Sequence, residues 1–222
     1  SLVHHITDLG WTDVVQLDMG PLPNPGGSTG HASNFIFPVD HSREMADLTM
    51  DSVRQYQEMG VFTRSGGFEI ARTEERMEEL RRRMSSARAW GVDAALVSPE
   101  FVQEKVPFIE TDQFIGAFWC PDVGVVDSLR AGTLMREKAV AAGATVVPGV
   151  EVTGLDTEDL PGGGRRITRV RTTGGDIEAE YVVIACGVWS PKVGDLAGIR
   201  IALTPAVHQM ISVGPCPQLA GQ

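Results

Sequence analysis

Four short stretches of this sequence hold residue types that can do chemistry at an exposed edge. Asp18 closes the apolar run VVQLD (14–18) just after a helical stretch. An acid in that place accepts hydrogen bonds from ribose hydroxyls in dinucleotide-binding βαβ units; an ordinary turn aspartate is the other reading. GGSTGH (26–31) sets glycines beside the hydroxyls of Ser28 and Thr29. Glycine lets backbone N–H groups come close to a phosphate and the hydroxyls add donors, although the same composition also makes a plain polar loop. His31, taken alone, reads as a solvent-exposed loop histidine; the nucleophile reading stays open, and no His, Cys or carboxylate spacing around it completes a metal site.

EYVVIACG (180–187) is an apolar run that ends in small residues and a glycine. It reads as a fully buried strand with an open carboxyl end, where ligands of open α/β sheets bind. Cys186 within it reads as a small buried filler rather than a nucleophile, having apolar neighbours and no nearby His. In TPAVHQMISV (204–213), alternation puts His208 with Ala206 and Met210 on one strand face, either buried or turned towards a small substrate.

The elements that must position these residues can be read from periodicity and breakers. Residues 2–9 form a helix with Leu2, Val3, Ile6 and Leu9 on one face, and the strand 14–18 follows, which is the second half of a βαβ unit. The Gly-rich turn that should precede such a helix is not in the chain, so the sequence reads as an internal segment. Residues 19–34, with four glycines and three prolines, form a long loop. Helices are expected over 41–59, 73–90 and 128–142, with a short one opening at Ser98-Pro99, and strands over 66–71 and over FIGAFWC (114–120), the latter in a mixed sheet. Then come ATVVP, VEVTGLD, RRITRVRT and EYVVIA, joined by the hairpin signals PGGG (161–164) and TGGD (173–176). The whole is an α/β domain interrupted by an insertion over roughly residues 38–125.

The totals exclude several function classes. A net charge of -10 argues against nucleic acid as a partner, and Arg81, Arg82 and Arg83 sit in a Glu-rich segment that reads as a solvated helix face. Three cysteines without a CxxC spacing indicate neither a disulfide framework nor a zinc site. No apolar run approaches the roughly 20 residues of a membrane span, and the N-terminus has no export pattern. With 42% hydrophobic and 22% charged residues, the chain has the composition of one or two ordinary globular domains.

LDMGPLPNPGGSTGHASNFIF, GGFEIARTEERMEELRRRMSSARAWGVDAALVSPE, PDVGVVDSLRAGTLMREKAVAAGA, VVIACGVWSPKVGDLAG and PAVHQM, in that order, resemble the D-amino-acid oxidase superfamily, and within it the dimethylglycine and sarcosine dehydrogenase/oxidase branch. The resemblance implies an α/β fold: an FAD-binding Rossmann-like domain, βαβ with a mixed sheet and a β-hairpin insertion, over residues 1–37 and 126–200. Residues 38–125 and 201–222 would form part of an α+β substrate domain. It implies FAD held by Asp18, Met19, Gly27, Ser28, Thr29, His31, Phe35, Val152, Ala185, Gly187 and Trp189, with His31 joined to the flavin 8α-methyl and His208 as the catalytic residue beside the ring. The implied reaction is oxidation of the C–N bond of an N-methylated amino acid or related secondary or tertiary amine. Dioxygen or an electron-transfer flavoprotein would be the acceptor, in the mitochondrial matrix of a eukaryote or the cytoplasm of a bacterium. The implied alternatives are another oxidase or dehydrogenase of the superfamily, acting on glycerol-3-phosphate or an amino acid, and an inactive truncated fragment. The chain departs from the branch pattern at Met210, where Tyr is usual, and at Ser33-Asn34, where a glycine usually ends the dipeptide after the histidine and alanine.

Overall fold

Side-chain caps open four of the six α-helices among the described residues. In the computed structural model, which describes residues 1–40, 42–207, 214 and 217, the chain runs through α1 (Leu2–Asp8), β1 (Val15–Asp18), β2 (Phe35–Ile36), α2 (Arg43–Glu58), β3 (Phe62–Arg64), β4 (Gly67–Ala71), α3 (Glu74–Ala89), β5 (Ala95–Val97) and α4 (Pro99–Lys105). It continues with β6 (Gly116–Cys120), β7 (Gly124–Val126), α5 (Ser128–Ala141), β8 (Thr145–Pro148), β9 (Val152–Asp159), β10 (Arg165–Thr172) and α6 (Ser190–Asp195). Ser42, Thr73 and Ser98 each accept a hydrogen bond from the backbone N–H three residues on, opening α2, α3 and α4, and Asp127 does the same for α5. Each satisfies a donor that the first helical turn leaves orphaned. No helix among the described residues is long and apolar enough to cross a membrane.

The chain divides into two compact units. The described part of the first comprises residues 1–32 and 132–207, and that of the second residues 33–40, 42–131, 214 and 217.

In the first unit, β1 and β8 pair in parallel from Val15↔Thr145 to Asp18↔Pro148, as a βαβ arrangement requires. β9 and β10 form an antiparallel ribbon closed by the PGGG turn, where Gly162, Gly163 and Gly164 all hold positive φ. Its inner face packs Leu155 and Val170 against Ala197, with Leu17, Val152, Ile167, Ile177, Val182 and Val193 around them. Its outer face carries cross-strand pairs such as Arg171–Asp156 at 2.9 Å and Arg166–Glu158 at 2.5 Å, exposed and worth little each.

Two expectations fail in this unit. The apolar run 180–187 is not a buried strand: residues 181–186 pair with no strand among the described residues. Tyr181 is 70% and Val183 66% exposed, while Val182 turns inward onto the Leu155 cluster. The stretch is extended and alternating, but an apolar run becomes a buried strand only where another strand edge lies beside it. On α1 the buried residues are His4 and Thr7, whereas Leu2 and Leu9 are exposed. Thr7 turns its hydroxyl back onto the His4 carbonyl at 2.7 Å, which lets both polar residues sit inward.

The second unit is built from two three-stranded sheets of order β2-β7-β3 and β4-β6-β5. All their pairs are antiparallel, so β6 lies in a purely antiparallel sheet rather than a mixed one; parallel and antiparallel pairing occur in separate sheets. α3 is charged around most of its circumference and buries Leu80 and Ala87 against Ala71, Phe118, Cys120, Val123 and Val39. The half-buried carboxylate of Glu69 on β4 receives Arg76 at 2.6 Å and Arg83 at 2.7 Å. Arg83 also donates to the Val39 carbonyl at 2.5 Å and lies over the Phe37 ring, so one guanidinium ties α3 and β4 to the segment after β2. The turn between β3 and β4 relies on Gly66, whose φ of +68 and contact with the Trp119 ring leave no room for a Cβ. Burial pushes the Cys120 thiol up to about 11.

Candidate cofactor site

The site grows from the carboxyl end of β1. Asp18 is half-buried there, and its carbonyl accepts the Val150 N–H at 3.0 Å, which joins the ends of β1 and β8. Its carboxylate bends back so that Oδ1 accepts the Gly20 N–H at 2.9 Å. That bond fixes the acid at the strand end and opens the loop behind it. The loop then folds over itself: a Cβ on Gly20 would lie 2.4 Å from the Pro25 carbonyl oxygen, so only glycine fits.

GGSTGH forms a single 3-10 turn over Ser28–Gly30, with Gly27 as its N-cap. Gly30 N–H donates to Gly27 O at 3.3 Å, and Ser28 O accepts His31 N–H at 3.0 Å and Ala32 N–H at 2.9 Å. His31 is exposed, and its Nδ1 lies 2.9 Å from the Gly27 carbonyl oxygen. A carbonyl oxygen only accepts, so this contact calls for a proton on Nδ1, and in the neutral form of such a ring Nε2 carries the lone pair.

The turn after the apolar run reaches the same loop. Gly187, at φ +54, begins a 3-10 turn that places Trp189 so that a Cβ on Gly27 would lie 3.9 Å from Trp189 Cζ3. Ala185 and Gly187 are exposed, and nothing lies within 4 Å of where a Gly187 Cβ would be. Cys186 is exposed too, which overturns its reading as a buried filler: with no strand pairing at 181–186, no layer covers it. Val152 opens β9 half-buried, and both it and Leu17 of β1 pack against the Leu155 cluster.

Asp18, Gly27, Ser28, Thr29, His31, Val152, Ala185, Gly187 and Trp189 all fall in the first unit. Met19 is there as well, 61% exposed. Phe35 belongs to the second unit, on β2, with its ring edge-on to Phe37 at 5.8 Å. His208 and Met210 lie outside the described residues.

Three residues shape the backbone of the loop and of the stretch just after it. Gly20 permits the fold-back, Asn24 accepts the Gly26 N–H at 3.3 Å, and Asn34 holds φ +59. The only signal for Asn24 was its Asn-Pro dipeptide, which favours turns. The left-handed backbone at this position suits asparagine, one of the few non-glycine residues that tolerate it.

Away from the loop, His4, His5 and Asp8 on α1 bring one potential ligand atom each within 4.8 Å of one another. His4 Nε2 already faces Asp8 at 3.4 Å, and Lys138 adds positive charge nearby that disfavours a bound cation. Burial holds the His4 pKa below its ordinary value against the opposing pull of Asp8.

Comparison with known proteins places this geometry among flavoenzymes. The family model described as FAD dependent oxidoreductase matches residues 1–222. Mitochondrial sarcosine dehydrogenase of Mus musculus is 30% identical over 217 residues, covering 94% of this chain and 23% of that protein. The mitochondrial pyruvate dehydrogenase phosphatase regulatory subunit of Mus musculus is 28% identical over 201 residues, covering 87% of this chain and 22% of that one. Among solved structures, L-proline dehydrogenase from P. horikoshii matches with a TM-score of 0.80 at 26% identity, covering 89% of this chain and 52% of that chain. The chain thus spans less than a quarter of the length of these two curated relatives.

Proposed function

Because the chain belongs to the FAD dependent oxidoreductase family, we propose that it is the part of an amine-oxidising flavoenzyme that carries the flavin, joined to His31 through Nε2. The observation that carries this reading is the 2.9 Å contact from His31 Nδ1 to the Gly27 carbonyl, which leaves an exposed nitrogen lone pair at the tip of a glycine-rich loop.

The residues fit the group. A dinucleotide needs an acid at a strand end, backbone without side chains for the diphosphate, and open space beside the ring. Asp18 supplies the acid, with Oδ1 held by Gly20. Gly26 and Gly187 both face open space where a Cβ would stand. Ser28 and Thr29 stand on the turn between, Trp189 backs the loop at Gly27, and Val152 would stand at the adenine side by family resemblance. Met19, Phe35 and Ala185 complete the cofactor set by family resemblance, and His208 stands on the substrate side on the same ground.

When bound, FAD takes a hydride from the carbon beside the substrate nitrogen. The substrate we propose is an N-methylated amino acid or a related secondary or tertiary amine. Sarcosine and L-proline, named for two of the matched proteins, are both amino acids with a secondary nitrogen. Dioxygen or an electron-transfer flavoprotein is the proposed acceptor. The proposed location is the mitochondrial matrix if the source is eukaryotic, following the named relatives, and the cytoplasm if it is bacterial.

Acid precipitation of the intact protein tests the attachment: the flavin is expected in the pellet, and yellow colour left in the supernatant counts against it. Anaerobic mixing with sarcosine, dimethylglycine, L-proline and glycerol-3-phosphate tests the substrate class, with flavin bleaching expected for the amines only. The match to a phosphatase regulatory subunit favours a second reading, a non-catalytic member of the family. Bleaching by any amine would remove it.

A further inference from the structure

Asn24 touches the anchor loop at two points on either side of the atom that orients His31. Its Oδ1 accepts the Gly26 N–H at 3.3 Å. Its amide also lies against Gly30, where a Cβ would fall 2.6 Å from Oδ1 and 3.1 Å from Nδ2. Between these points sits Gly27, whose carbonyl takes the His31 Nδ1–H at 2.9 Å and the Gly30 N–H at 3.3 Å. The loop is exposed over Gly26, Ser28, Thr29 and His31, so among the described residues its shape rests on its own turn bonds, on Trp189 beside Gly27 and on Asn24. The Asn24 amide adds to the turn bonds by clasping the loop from Gly26 to Gly30.

We infer that Asn24 is a positioning residue: it clasps the Gly26–Gly30 loop so that the Gly27 carbonyl stays on His31 Nδ1 and Nε2 points outward for the flavin. The inference rests on the attachment reading above and adds to it the residue that presents the nitrogen. Asn24 touches neither flavin nor substrate in this account and acts only through the loop. Gly30 is glycine for the same reason, because a methyl there would push the amide off the loop.

The test measures covalent flavin incorporation when FAD is added in air to the intact apoprotein: the C–N bond replaces a C–H bond of the 8α-methyl and an imidazole N–H, the flavin ring takes the two electrons, and dioxygen reoxidises it, so the product is read as flavin fluorescence retained after acid precipitation and a denaturing gel. It also measures the His31 tautomer from imidazole 15N shifts, which a merely structural role would not move. Asn24→Ala is expected to slow incorporation by up to about a hundredfold, the scale on which misplacement of a reacting group by about 1 Å acts. It should also replace the single Nδ1–H tautomer by a mixture. Asn24→Asp keeps an oxygen acceptor in place and should restore both readouts, while Gly30→Ala should resemble Asn24→Ala with an unchanged melting temperature. Incorporation in Asn24→Ala at the wild-type rate, or in Asn24→Asp as slow as in Asn24→Ala, would overturn the inference. Flavin released by acid from the wild-type protein would instead sink the attachment reading, and the tautomer in Asn24→Ala would then decide the role of Asn24: unchanged, it fails; mixed, it stands.

Discussion

Gly27 and Trp189 meet: a Cβ on the glycine would lie 3.9 Å from Cζ3 of the indole, bringing together two turns separated by most of the chain. The indole is 43% exposed, so it covers one side of the loop and faces solvent with the rest. Trp189→Ala is expected to cost about 1–2 kcal/mol through lost apolar contact, measured by urea denaturation. Trp189→Phe should recover at least half of that, and an alanine variant as stable as the parent would show that the indole does not brace the loop.

Asn34 sits at φ +59 just after the anchor loop, and its carbonyl accepts the Val126 N–H at 3.0 Å. Asn34→Gly should leave stability unchanged or slightly raised. Asn34→Val should lower it by about 1–2 kcal/mol, the cost of a left-handed conformation for a residue with a branched Cβ. Equal urea midpoints for the two variants would contradict this.

Glu69 receives two guanidinium groups within the second unit, and both Glu69 and Arg83 are largely shielded, with side chains 19% and 22% exposed. Glu69→Gln leaves Arg83 with a weaker partner and is expected to cost on the order of 2 kcal/mol. Arg83→Met, which keeps much of the apolar stem and removes the charge, should cost less than Arg83→Ala. Thermal melts of the three variants give the ranking.

His4 makes stability depend on pH. Burial depresses its pKa in the folded chain, so as pH falls below 6.5 the unfolded chain takes up a proton that the folded chain still refuses. The stability tied to neutral His4 is therefore present above that value and lost on acidification. Denaturation midpoints should fall from about pH 7 to about pH 5, and His4→Leu should flatten that slope while leaving the acid loss due to carboxylates. An identical slope in His4→Leu would refute the assignment.

Much of the fold was legible because its signals are local. Thr73 and Ser98 announced two helix starts, PGGG announced the β9–β10 turn, and alternation announced β6. Local signals do not say what lies beside an element. Val182 and Tyr181 are equally apolar on a linear reading, yet one packs on the Leu155 cluster and the other is bare, because pairing and burial are properties of neighbours far away in sequence. Cys186 was misread for the same reason.

The site divides along the same line. The residues of the loop, their glycines and hydroxyls, and the resemblance of GGSTGH to a flavin-anchoring motif were set by the sequence by itself. His31 alone remained a histidine with two chemically different nitrogens and no preference between them. Only the tertiary structure chose, by turning the Gly27 carbonyl onto Nδ1 and folding Asn24 and Trp189 against the loop. The reason is physical: a tautomer is decided by whichever acceptor lies within hydrogen-bond reach, and that distance exists only once the chain has folded.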